Sequence, residues 1–165
     1  MRPAVLGAVC ALAASTVFGF GCSSPGTSPA TSPNSFTNVY STVISRNCTN
    51  VYCHDNGVSV KTSGGLDMSS QTIAYWSLVD HVLEGASCGN IVLQKRVVAY
   101  QPENSIMYLK VSQTNPPCGV QMPADPVKLW PTGPAGGIPV FSGNALPADE
   151  QQLIYNWIKE GAQNN

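Results

Sequence analysis

The sequence predicts a mainly α-helical domain with long Pro/Gly-rich loops, and three observations carry that expectation. Phe36, Val39, Tyr40, Val43 and Ile44 recur at the spacing of one helix face. Leu153, Ile154, Trp157 and Ile158 repeat the pattern near the end of the chain. Between them, residues 115–144 (with NPPCG, MPADP and WPTGPAGGIP) hold too much Pro and Gly for a helix. Only 10% of the 165 residues are charged and the formal net charge is −1, so the concentrated basic face of a nucleic-acid binder is absent.

The first segment is an address. Arg2 precedes an apolar run, Val5 to Phe20, that has the length of a signal-peptide core and falls short of the ~20 residues of a membrane span. Cys10 lies inside it. The run ends at Gly19-Phe20-Gly21-Cys22-Ser23-Ser24. A small residue before a cysteine, then a Ser/Pro/Thr stretch, resembles a bacterial lipoprotein processing site. The resemblance implies a signal peptide over 1–21 and diacylglycerol on the sulfur of Cys22. The alternative is an ordinary signal peptide cut nearby, with Cys22 a plain thiol. Ser23, where Asp would mean retention at the inner membrane, favours the outer membrane, with the protein on the periplasmic side. Six cysteines in so short a chain fit an oxidising compartment. Residues 22–34 read as a Ser/Thr/Pro-rich tether, leaving 35–165 as one domain.

The domain opens with the helix from Phe36, which Asn34 or Ser35 can cap. It frays near Asn47 and runs into Cys48-Thr49-Asn50-Val51-Tyr52-Cys53-His54. Two cysteines with a histidine directly after the second make the haem-attachment arrangement. Each thiolate adds across a haem vinyl group, and the adjacent imidazole reaches the iron. The spacer here has four residues where the usual motif has two. A local Cys48–Cys53 disulfide, with His54 an ordinary polar neighbour, is a second reading. A zinc site completed by a distant ligand is a third.

Further motifs follow in order. Ser63-Gly64-Gly65-Leu66-Asp67-Met68-Ser69-Ser70, Pro102-Glu103-Asn104-Ser105-Ile106-Met107-Tyr108-Leu109-Lys110-Val111, Cys118-Gly119-Val120-Gln121-Met122-Pro123 and Trp157-Ile158-Lys159-Glu160-Gly161-Ala162 succeed the CH pair. Together they resemble small bacterial cytochrome c-like domains, often carried on lipoproteins, from about Phe36 to Ala162. The resemblance implies helices around one covalent haem c, with the first and last helices in contact. It implies Cys48 and Cys53 as attachment points, His54 as the proximal iron ligand and Met122 as the distal one. His/Met ligation suits electron transfer. Met68 and Met107 stand where the family has Leu and read as core. With haem on Cys48 and Cys53, the remaining pair is Cys88–Cys118; without it, four cysteines allow three pairings.

Ile73, Trp76, Val79 and Leu83 fall at helical spacing and predict a buried stripe, with His81 off it and exposed. Trp130 reads as a residue near the cofactor or a loop anchor. The closing helix spans Pro147 to Glu160, with Pro147, Asp149 and Glu150 suited to its first turn and Gly161 to its end. No acyl-transfer triad, metalloprotease motif or phosphate-binding loop is present. The expected function is therefore electron transfer among envelope redox proteins, without catalytic residues. The alternative is a haem-free, disulfide-held lipoprotein of the same fold with a binding or structural role.

Overall fold

Ser35 starts the domain's first helix: its side chain accepts the N–H of Asn38 at 3.2 Å and satisfies one of the orphan donors of the opening turn. Helix α1 (Phe36–Val39) widens into a π-helical turn (Tyr40–Ile44), closed by Ser45 N–H on the Tyr40 carbonyl, and ends as α2 (Ser45–Asn47). Phe36, Val39, Val43 and Ile44 are all buried, as their spacing predicts. The computed structural model describes residues 32–49, 53–56, 64–84, 88, 94–124 and 145–165. The expected signal peptide, the lipidation site Cys22, residues 22–31 of the tether and Trp130 lie outside them.

Residues 32–34 of the expected tether make hydrogen bonds, two of them to the domain. Asn34 Nδ2 donates to Glu160 Oε1 at 2.6 Å, Asn38 Nδ2 donates to the Pro33 carbonyl at 2.6 Å, and Asn34 N–H reaches Ser32 Oγ. Side-chain partners of this kind are invisible to composition. Thr31–Asn165 forms one compact unit.

The closing helix, α5 (Ala148–Lys159), matches the expectation closely. Pro147 occupies its cap, Asp149 and Glu150 its first turn, and Gly161 ends it at φ 108. Ile154, Trp157 and Ile158 are buried. Phe36 and Trp157 meet with ring centroids 5.0 Å apart, so the first and last helices share one core. Tyr75 adds an edge-on contact to Phe36 at 5.2 Å.

Helix α3 (Gln71–Leu78), capped by Ser70, corrects one expectation. Its buried residues are Ala74 and Leu78, whereas Ile73 is 42% and Trp76 66% exposed. The helix stops at Leu78 because Val79 turns extended and Asp80 adopts φ 58. Val79 then bridges Val97, and Val82 bridges Lys95. A helical stripe from Ile73 to Leu83 therefore cannot exist; the two halves lie on different backbones. His81 is exposed, as expected.

A 3-10 turn (Pro102–Asn104) leads into α4 (Ile106–Ser112). Ser105 between them is fully buried, yet its hydroxyl is satisfied: it accepts the Val98 N–H at 2.8 Å and donates to the Gln101 carbonyl at 2.9 Å. Met68 is buried and Met107 packs against the core, as expected of both. Cys88 and Cys118 form a disulfide around which Ile106 and Leu109 pack as a small second core. Among the described residues there is no named strand, and no helix is long and apolar enough to cross a membrane. The mainly α class is thus met.

Candidate cofactor site

The site is built at the end of α2. Cys48 N–H makes the last helical bond, to the Ile44 carbonyl at 2.9 Å, and the residue packs against the main core. The chain then returns: His54 N–H donates to the Cys48 carbonyl at 3.0 Å. Cys53 lies near enough that its charge would act on Cys48. Burial first, then Cys53, then Glu150, pushes the Cys48 thiol up to about 12. Neither cysteine takes part in a disulfide.

His54 is held from a second segment. Its carbonyl accepts the Met68 N–H at 2.7 Å, and its ring Nδ1 lies 3.3 Å from the Leu66 carbonyl. A carbonyl only accepts, so this contact puts the proton on Nδ1 and leaves the Nε2 lone pair unprotonated. Burial holds the imidazole down at about 4; the Leu66 carbonyl opposes this, and the charges of Lys110 and Arg96 add to it. At neutral pH the ring is neutral, the form in which imidazole binds a metal.

The Leu66–Met68 segment owes its place to two glycines and one arginine. Gly64 and Gly65 take φ 74 and 69, and a Cβ on Gly64 would stand 2.6 Å from the Glu84 carbonyl oxygen. Arg96, 4% exposed, donates from Nη2 to the Gly64 carbonyl at 2.8 Å and from Nη1 to the Ser77 carbonyl at 2.6 Å. Tyr40 Oη donates to the Met68 carbonyl at 3.4 Å, a longer contact that ties this segment to the first helix.

Met122 is held by a third segment. Its N–H donates to the Lys110 carbonyl at 2.8 Å, and its side chain packs against the same apolar cluster as Cys48 and Leu66. Lys110 Nζ donates to the Cys118 and Val120 carbonyls at 2.9 and 3.3 Å. Lys110 thus holds the turn from Cys118 to Met122 while its charge reaches His54. The disulfide fixes the same turn from Cys118.

The donor types are those a covalently held haem would use: two neighbouring thiols, a neutral imidazole with Nε2 unprotonated, and a thioether. Among the described residues no group of three or more His, Cys, Asp or Glu side chains could hold a metal ion, so the zinc reading finds no ligand cluster there. Arg96 and Lys110 were given no role by the sequence. Lys110 lies within the segment from Pro102 to Val111; Arg96 lies in none of the motifs. No family model, curated protein or solved structure matches the chain.

Proposed function

We propose that the chain is an envelope electron carrier with one haem c, joined through Cys48 and Cys53 and ligated by His54 and Met122. The observation that carries this reading is the His54 ring, held by the Leu66 carbonyl in the tautomer that keeps Nε2 for a metal. The haem iron would supply the one-electron chemistry. The chain's own residues would hold and orient it: His54 through Leu66 and Met68, Met122 through Lys110 and the Cys88–Cys118 bridge. A cytochrome c-like arrangement of the helices, and attachment to the periplasmic face of the outer membrane through a lipid on Cys22, belong to the same proposal. Its partners would be other envelope redox proteins, and it would have no catalytic residues.

A second reading is favoured by one observation. The Cys48 thiol is already packed against the apolar core, which suits a haem-free protein of this fold with a binding or structural role.

The test is an absorption spectrum of the protein made with a periplasmic haem-attachment system, before and after acid-acetone extraction, beside a Cys48→Ala/Cys53→Ala control. A Soret band that survives extraction, and is lost in the control, supports the electron carrier. A colourless protein from cells that mature other cytochromes normally supports the haem-free reading.

A further inference from the structure

Among the described residues the two most exposed large apolar side chains are Tyr100 (68%) and Trp76 (66%), with Ile73 at 42% one turn from Trp76 on α3. They border one region. Trp76 stands edge-on to Tyr75 at 5.3 Å, and Tyr75 Oη donates to the Ala162 carbonyl at 3.0 Å. Tyr100 lies over the adjoining Gly161, where a Cβ would come within 2.8 Å of its ring. Helix α3 (QTIAYWSL) carries no charged residue. Nearby, Asp80 is neutralised by Lys95 at 2.9 Å.

The chain enters the domain beside this face. The Phe36 ring is 5.2 Å from Tyr75, and Gln71 Nε2 donates to Thr37 Oγ1 at 2.9 Å. Ser32 is ten residues on from Cys22. Ten residues of chain reach at most about 35 Å, and a domain of this length is itself about 35 Å across. An anchor at Cys22 would therefore limit the entry point to within about 35 Å of the bilayer, so the region around that point can reach it.

We infer that Trp76, Tyr100 and Ile73 form a membrane-resting face that sits among the lipid headgroups of the bilayer holding Cys22. Trp and Tyr are the side chains that favour this level, with an apolar body and a polar edge. Trp76 is suited to it because its contact with Tyr75, itself hydrogen-bonded, holds the ring in place before it meets the lipid. The inference rests on the lipid-anchor part of the proposed function and is independent of haem.

The experiment compares two forms of the full chain by hydroxyl-radical footprinting with mass spectrometry. One is the lipidated protein in vesicles of phosphatidylethanolamine and phosphatidylglycerol; the other is Cys22→Ala in buffer. The expected result is a diacylglyceryl adduct on Cys22 and a several-fold drop in oxidation of Trp76 and Tyr100 on the vesicles. A Trp76→Ser chain, still lipidated, should regain most of the oxidation at Tyr100. Unchanged oxidation with the adduct present overturns the face and leaves the anchor standing. Absence of the adduct overturns both. Protection of Trp76 in Cys22→Ala that disappears on dilution assigns the face to a second copy of the chain and also overturns the inference.

Discussion

Replacing Arg96 with methionine removes a buried cation while keeping much of its aliphatic stem. The guanidinium spans two chain segments, donating to Ser77 and Gly64 at 2.6 and 2.8 Å. Hydrogen bonds from a charged donor contribute about 1.5–3 kcal/mol each. Relief of the desolvation cost of the cation offsets part of their loss. Glu84, whose charge favours that of Arg96, would lose its neighbour as well. The net expectation is a destabilisation of about 3 kcal/mol, read as a lower urea midpoint at unchanged slope. Arg96→Lys keeps the charge without the planar fork and should lose about half as much. A second readout separates this clamp from simple packing. Gly64 leads into Leu66, and Leu66 holds the His54 ring, so Arg96→Met in the haem-free chain should admit water to that ring. Its imidazole, followed by NMR, should then titrate closer to the ordinary value. A methionine variant within about 0.5 kcal/mol of wild type, or one with His54 unmoved, would refute the reasoning.

Three further outcomes are expected of the haem-free chain. Folded His54 takes its proton at about 4 rather than 6.5, so between these values the unfolded chain binds a proton that the folded one refuses. Stability should be complete above about pH 7 and fall by about 3 kcal/mol as pH drops from 6.5 to 4; His54→Phe should flatten that part of a urea-midpoint series, and a series identical to wild type would contradict the assignment. Cys48, pushed from 9.0 to about 12, should react with iodoacetamide at pH 8 about a thousandfold more slowly than in urea, and equal rates would show that its sulfur is not buried. Gly64→Ala puts a Cβ 2.6 Å from a backbone oxygen at φ 74, so thermal unfolding should show a loss of about 2 kcal/mol or more; a variant as stable as wild type would mean that the Glu84 backbone moves aside freely.

The terminal helices were legible because each carries its own signal: the buried set at Phe36, Val39, Val43 and Ile44, and that at Ile154, Trp157 and Ile158, lie within single periodic stretches. The cysteine pair and His54 were legible as a local motif. What surrounds His54 was not. Its ring depends on Leu66, twelve residues away, and Leu66 depends on Arg96, thirty residues further, a separation that no local pattern encodes. Arg96 carries no local signal, because a charged side chain reads as surface until its partners are known. On α3, the spacing of Ile73, Trp76, Val79 and Leu83 imitated a stripe. The helix ends at Leu78, and where a helix stops depends on what the following strand-like residues find to pair with, here Val97 and Lys95.

The π-helical turn between Tyr40 and Ile44 carries an implication about chain length rather than residue type. Such a turn holds one residue more than the α-helical turns on either side. Each residue of an α-helix advances the azimuth by about 100°. Dropping one residue from this stretch would therefore let an ordinary α-helical turn span the same arc, and Cys48 would keep its place relative to Phe36 and Val39. Dropping one from the regular turn that follows would instead rotate Cys48 by about that angle, away from His54, with every motif residue still present. Single-residue deletions should thus be tolerated within Tyr40–Ile44 and not within Ser45–Asn47.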